Sequence, residues 1–410
     1  MADTMELLVR QQGQGRQVAA LCQGKLLEFI QEEGDADSWV GAVVLGTVER
    51  VLPALGAAFV KIGLPLNGFL PLTEQESFDA GGKQPLLSGQ EVLVQVKKDP
   101  AGEKGAFLTR DIALPGQYAL YMPHNRHTGV SARIPQGEQR EWALALGEAL
   151  GGGEAGVIVR HGALTARAQD IESEWAALEE AWRAILEKAR FHKPPAVLFR
   201  EDSALRGLVR DYGARYRLRL TTQEERMLEG LPLPQEDMRL AGPVEMEALW
   251  QGMGVEGQLR EALERKVSLP GGGTLVIDER EALTTVDVNT AHFTGAPLKG
   301  RGPAVPSVAL AQNLAACPQI ARQIRLRNLS GILLIDFIDM ESDQEREQVQ
   351  SALERELEDD RVKTVIHGFT RLGLLEMTRK RTRESLSQAL AAREKGKGQA
   401  RRGRGKDHQA

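Results

Sequence analysis

Cysteine is almost missing from this chain. Among 410 residues there are two, Cys22 and Cys317, far apart and outside any CxxC spacing. That excludes a disulfide framework and a zinc site of the paired-cysteine kind, and both thiols read as small buried hydrophobes. Long apolar runs are missing too. No stretch approaches the ~18 residues that span a bilayer. The opening MADTMELLVRQQGQG holds no signal-peptide core, so the expectation is a cytoplasmic protein. An excess of positive charge is absent as well: Lys+Arg number 52 against 57 Asp+Glu, a net charge of −5. The whole surface therefore cannot act as a basic nucleic-acid binder. Positive charge gathers instead in the tail 393–406, REKGKGQARRGRGK, a Gly-spaced segment that cannot build a core. It reads either as a nonspecific phosphate attractor or as a solubilising terminus.

What is there is the composition of a globular protein, 42% hydrophobic and 27% charged, long enough for about two or three domains. Its centre of gravity is 281–340. Two short apolar runs end in an acid: TTV leads to Asp287 in EALTTVDVNT, and ILLI leads to Asp336 in GILLIDFIDM. Such runs read as buried strands, and a carboxylate at a strand end sits at the rim of a sheet, where α/β sites are built. Asn289, two residues beyond Asp287, faces the same way. Asp287, Asn289 and Asp336 make an oxygen-rich set suited to Mg2+, which needs only one or two carboxylates. Taken singly, each Asp is equally at home in a turn or helix cap; the pair carries the reading. Asp339, three residues beyond Asp336, is expected to point away.

Read in order, 1–37 gives three short strands, too little to fold alone. Residues 38–114 hold several Gly-punctuated strands, the pattern of a small β-barrel. The order GTVERVLPALGAAFVKIGLPLNGFLPL resembles an OB-type RNA-binding barrel, and that resemblance implies Phe59 and Phe69 as candidates for base stacking, with Lys61 and Lys104 for phosphates; each Phe taken alone reads as core. Trp175, Leu178, Trp182 and Ile185 recur at helical spacing over about 172–191, a packing face that Pro194–Pro195 ends. A strand at 196–199 and a helix at 203–212 precede a mostly polar run, then a helix at 244–264. Beyond the sheet strands, 312–327 is helical, with Pro318 set to kink or restart it. Arg322, Arg325 and Arg327 near Asp336 read as RNA-facing or as solvated helix charges. An exposed charged helix at 341–360 follows, and strands at 362–366 and 373–377 close the core, with Arg371, Arg379, Lys380 and Arg381 nearby.

Three segments, LPGGGTLVIDEREALTTVDVNT, QIARQIRLRNLSGILLIDFIDM and FTRLGLLEMTRKR, together resemble the catalytic core of the bacterial ribonuclease E/G family, a likeness running over about 5–383. The resemblance implies an α+β multidomain fold. A ribonuclease H-like domain (1–37 with 196–262) would carry an inserted OB-type RNA-binding barrel (38–114) and a 5′-end sensor (115–195). A deoxyribonuclease I-like catalytic domain (263–385) and a basic tail (386–410) would follow. It implies a Mg2+-dependent endoribonuclease cutting single-stranded RNA, ribosomal RNA precursors and messenger RNA, to 5′-phosphate and 3′-hydroxyl ends. Asp287 and Asp336 would hold the metal, with Asn289 orienting Asp287. Phe59, Phe69 and Lys104 would contact RNA, and Gly116 and Arg160 would sense the 5′-phosphate. The departures are specific. His161 stands for the family threonine and Ala132 for an arginine, Pro318 replaces an acid, and 292–306 is longer, bringing Lys299 and Arg301. No CPxCxG follows LLEMTRKR, so the family's zinc link is not expected and any oligomer must use other surfaces. Two rival readings remain: an RNA-binding adaptor or competitor without catalysis, and a small-molecule phosphohydrolase, which the aromatic barrel disfavours.

Overall fold

In a computed structural model of the chain, residues 3–391 are described apart from 14, 33–37, 73–85, 101, 202–203, 214, 230, 232, 271 and 290–306. The 292–306 segment and residues 392–410 of the basic tail lie outside the described residues; 386–391, assigned to that tail from the sequence, are helical, with Leu386 buried. The chain divides into two compact units, Met1–Ala2 with Glu33–Arg217, and Asp3–Glu32 with Leu218–Ala410.

The second unit starts with a meander of β1 (Thr4–Gln12), β2 (Gly15–Cys22) and β3 (Lys25–Glu32), paired antiparallel. Gln23 and Gly24 turn β2 into β3, both at positive φ (50° and 74°), the backbone of a two-residue hairpin turn.

The first unit opens with β4 (Val43–Leu52), β5 (Ala57–Lys61), β6 (Gly68–Pro71), β7 (Glu91–Lys98) and β8 (Phe107–Thr109). Their order is β4-β5-β6-β8-β7, and β7 pairs back onto β4, closing a five-stranded barrel of the OB type. Alternation sends Val44, Val48, Ala58, Val60, Leu70, Val94, Val96 and Leu108 inward. Gly68 is required by packing, since a Cβ there would stand 2.4 Å from a Leu108 methyl. A four-stranded sheet follows, from β9 (Leu114–Pro115), β10 (Ala119–Met122), β11 (Thr128–Val130) and β12 (Gly156–Val159), in the order β11-β12-β10-β9. It carries α1 (Glu138–Gly151) and α2 (Ala168–Phe191). Trp175, Trp182 and Ile185 of α2 are buried, as their spacing demands.

One placement needs correcting. The strand at 196–199, assigned from the sequence to the segment that joins the N-terminal strands, is β13 (Ala196–Phe199) and pairs antiparallel with β4 of the barrel. Leu198 shares a core with Val43, Leu45, Trp175 and Trp182. The strand of that segment that lies beside β1 is β14 (Arg217–Thr222). That strand hides in a run that reads as polar, because Arg217 and Arg219 face out while Leu218 and Leu220 face in. α3 (Ala204–Tyr212) lies between the two strands in sequence.

In the second unit, β14 and β15 (Met238–Leu240) complete the sheet β15-β14-β1-β2-β3. The single helix expected at 244–264 is two, α4 (Pro243–Gly252) and α5 (Val255–Leu263), broken where Gly254 takes a left-handed φ of 62°. A second, six-stranded sheet contains β16 (Lys266–Ser268), β17 (Thr274–Glu279), β18 (Leu283–Asn289), β19 (Gly331–Asp336), β20 (Thr364–Phe369) and β21 (Leu375–Arg379). Its order is β16-β17-β18-β19-β21-β20. β18 and β19 are parallel, and α6 (Val308–Leu326) connects them; α7 (Asp343–Leu357) follows β19. α6 runs unbroken through Pro318 rather than restarting there. The proline costs one helical hydrogen bond, and burial of Ala316, Cys317, Ile320, Ala321 and Ile324 around it holds the helix together. Burial also pushes the Cys317 thiol up to about 12, so it stays a neutral core group. Among the described residues no helix is long and apolar enough to cross a membrane.

Candidate functional site

β18 and β19 end side by side. In their parallel register Asp287 stands opposite Asp336, one residue past the Val286–Ile335 pair. Thr284, Val286 and Val288 are buried on one face, as are Leu333 and Ile335 of β19. The pleat therefore turns Asp287, Asn289 and Asp336 together onto the other face, on strands about 4.8 Å apart. The Asn289 side-chain amide donates to Asp287 Oδ2 at 2.6 Å. Burial, then the nearby Asp287 and Asp339 carboxylates, raise the Asp336 pKa above the usual aspartate value. Among the described residues neither Asp287 nor Asp336 has a cationic partner.

Asp339 is near enough to be felt by Asp336, as the weakest of those three influences. It does not complete a cage: among the described residues no group of three or more His, Cys, Asp or Glu side chains is arranged to hold a metal. The donor set is two crowded carboxylates and an amide, all oxygen-bearing. That fits a hard divalent cation that keeps most of its waters, and fits a soft metal poorly.

α6 pins both strand ends. Gln312, 1% exposed, donates to the Asn289 carbonyl at 3.0 Å. Asn313, fully buried, donates to the Ile338 carbonyl at 2.8 Å and accepts from the Ile338 amide at 3.0 Å. Gly273 must be glycine, because a Cβ there would meet Gln312 Nε2 and the Asn289 carbonyl at 2.5 and 2.6 Å. Neither Gln312 nor Asn313 is marked by the sequence. They lie on the buried face of a helix, where an apolar residue is the rule, and that break in pattern is the signal that could have found them.

On the barrel, Phe59 and Phe69 are register partners on β5 and β6. Both face out, half-buried, edge to face with centroids 6.0 Å apart. Lys104 is exposed on the turn before β8. That turn presses on Asn67 so closely that Gly105 has no room for a Cβ. Lys61 is exposed but engaged by Glu49 at 3.4 Å.

Gly116 and Arg160 are also brought together. The Arg160 amide donates to the Tyr118 carbonyl at 2.8 Å, and its guanidinium donates to the Gly116 carbonyl and, at 2.7 Å, to Asp211 Oδ1. The backbone amides of Gln117, Tyr118 and Ala119 converge on the Glu174 carboxylate at 2.5, 2.8 and 3.2 Å. Two internal acids thus occupy donors that an anion would use.

The profile of the Ribonuclease E/G family matches residues 113–382. The chain belongs to the ribonuclease E/G family. It is 38% identical to Ribonuclease G of Escherichia coli strain K12 over 406 residues, covering 94% of this chain and 82% of that protein. Ribonuclease G of Haemophilus influenzae is 35% identical over 407 residues, with 95% and 82% covered. Ribonuclease E of a Nostoc species is 35% identical over 363 residues, 85% of this chain and 52% of that one.

In this family member the arginines near the strand ends are largely structural. Arg322 donates to the Leu26 carbonyl and to Gln258, Arg325 is 7% exposed, and Arg327 holds Gln323 and the Glu264 carbonyl. Burial pulls the Arg327 pKa down to about 10 and lowers that of Arg322. Arg379, 4% exposed, forks onto Asp360 at 2.6 and 3.0 Å. Both sequence readings of Arg322, Arg325 and Arg327, facing RNA or solvated on the helix, therefore fail: these side chains are buried or half-buried within their own unit. Arg371, Lys380 and Arg381 are exposed.

Proposed function

We propose that this chain is a metal-dependent endoribonuclease acting on single-stranded RNA. The observation that carries the proposal is the register of Asp287 with Asp336, one acid oriented by Asn289, in a chain of this family. The two carboxylates would hold Mg2+, which when bound would polarise the scissile phosphate and help generate the attacking hydroxide. Asn289 restrains the rotation of Asp287 and leaves its second oxygen for the cation. Water adds across the P–O3′ bond, which breaks; the new P–O bond leaves a 5′-phosphate, and the departing 3′ oxygen takes a proton. Phe59, Phe69 and Lys104 hold the strand on the barrel.

The proposed domains follow the family: a ribonuclease H-like sheet from β1–β3, β14 and β15, and a deoxyribonuclease I-like catalytic sheet from β16–β21. The substrates proposed are ribosomal RNA precursors and messenger RNA in the cytoplasm, and any oligomer forms without the zinc link. Sensing of a 5′-phosphate by Gly116 and Arg160 is proposed to be weak, since Asp211 and Glu174 already hold the donors there.

The test is internal cleavage of an AU-rich single-stranded RNA with Mg2+, run beside Asp287→Asn and a chelator. Cleavage lost in both controls is the expected result. Binding without cleavage at every concentration would leave the adaptor reading in its place.

A further inference from the structure

The two expected phenylalanines are part of a longer row. Register pairs run without a gap across all five barrel strands: Arg50 of β4 with Phe59 of β5, Phe59 with Phe69 of β6, Phe69 with Phe107 of β8, and Phe107 with Lys98 of β7. Three of the chain's ten phenylalanines therefore lie side by side on the outer face, each half-buried. Centroids are 6.0 Å apart from Phe59 to Phe69 and 5.7 Å from Phe69 to Phe107. Exposed cations close both ends: the Arg50 guanidinium lies 5.1 Å from the Phe59 ring, and Lys98 Nζ lies 5.6 Å from the Phe107 ring.

We infer that Phe107 is a third base-stacking platform, and that the barrel binds three consecutive nucleotides of single-stranded RNA along the row Phe59–Phe69–Phe107, with Arg50 and Lys98 taking the flanking phosphates. The inference rests on the RNA-cleaving reading and names a binding subsite for it. A core explanation does not account for the row, because the inward positions of the same strands are filled by aliphatic side chains. The ring spacing exceeds the rise of about 3.4 Å between stacked nucleotides. Neighbouring bases must then part from one another and each lie on its own ring, which selects single strands over duplex. Positive charge at both ends and aromatic faces between them is the pattern that fits a polyanion with π-faced bases. An apolar protein partner has no use for the two cations.

The experiment uses the full chain carrying Asp287→Asn, so that RNA stays intact, and fluorescent oligouridylates of two to six nucleotides. Affinity should rise steeply to three nucleotides and slowly thereafter. Phe107→Ala should weaken the trinucleotide about fivefold to a hundredfold, the range of one lost base stack, and move the break in the length series to two. Phe107→Trp should retain binding. A thermal melt matching the parent separates lost stacking from lost folding, and if Phe107→Ala melts lower, Phe107→Leu replaces it. Unchanged trinucleotide affinity in Phe107→Ala, while Phe59→Ala and Phe69→Ala weaken it, overturns the third platform and leaves the ribonuclease reading intact. A change in oligomeric state with RNA affinity unaltered overturns it too, assigning the row to a second copy of the chain. If none of the three rings matters to RNA, the barrel's role in the proposed function fails with it.

Discussion

The rim of β18 and β19 and the turn around Gly116 both present charge, and they treat it in opposite ways. At the rim, Asp287 and Asp336 stand in register, and among the described residues they have no cationic partner. Their repulsion, added to burial, shows in the raised Asp336 pKa. At the turn, Arg160 is already held by Asp211 and the Gly116 carbonyl, and Glu174 fills the amides of residues 117–119. Among the described residues, one region pairs two acids with each other and the other pairs each charge with an internal partner. Like charges held in register by a sheet suit the proposed cation; a charge answered from within the protein does not call for a ligand, even where the residue type suits one.

The comparison breaks most sharply at the acids. Asp287→Asn or Asp336→Asn should lower kcat for RNA cleavage by about a thousandfold or more, since several kcal/mol of transition-state stabilisation leave with the cation. Steady-state cleavage with the fold checked by circular dichroism measures it. Next comes the support from α6. Asn313→Ala frees the backbone after Asp336 and should cost about 10–100-fold in Mg2+ affinity or rate, the range for residues that orient ligands. A titration of rate against Mg2+ reads this as a shifted midpoint. Third, Asp211→Asn should release Arg160 and raise the rate ratio of 5′-monophosphate to 5′-hydroxyl substrate by about fivefold or more, the worth of a charge-assisted contact.

The smallest effects concern pH. Cation binding needs ionised Asp336, whose pKa is raised, so activity should climb as pH rises through a value above the usual aspartate range. The linkage to stability runs the other way. A carboxyl with a raised folded pKa contributes its stability at low pH and loses it as pH rises through that value. In metal-free protein at neutral pH, Asp336→Asn should therefore raise Tm by about 1–2 °C, and added Mg2+ should reverse the order. Melting curves with and without chelator check both signs.

The grouping of the candidate site was legible where its residues lie along the strand. Alternation in TTVDVN and ILLID fixes which side chains share a face, and the shared face brings Asp287, Asn289 and Asp336 together. What escaped depends on contacts distant in sequence. Gln312 and Asn313 reach carbonyls 23 and 25 residues away. Phe107 reads as one more apolar residue in a short strand until its register with Phe69 is seen. Charge misled for the same reason: Arg322 and Arg327 look like surface cations, yet their partners are Leu26, Gln258 and Glu264, brought near only by the fold. The strand 196–199 pairs with β4 because its buried Leu198 belongs to the core under α2, which no local pattern shows. α1 was missed although residues 138–151 are good helix formers; among the described residues only Ala143, Gly147 and Gly151 of it are buried, so it presents no strong apolar stripe.

The most direct test of the contrast is one assay: internal cleavage of the same single-stranded RNA bearing either a 5′-monophosphate or a 5′-hydroxyl, followed as Mg2+ is raised from zero. The account predicts no cleavage without the cation, onset with Mg2+, and nearly equal rates for the two ends. Cleavage that persists in chelator would contradict the cation-demanding rim, and a large preference for the monophosphate would contradict the self-satisfied turn at Arg160.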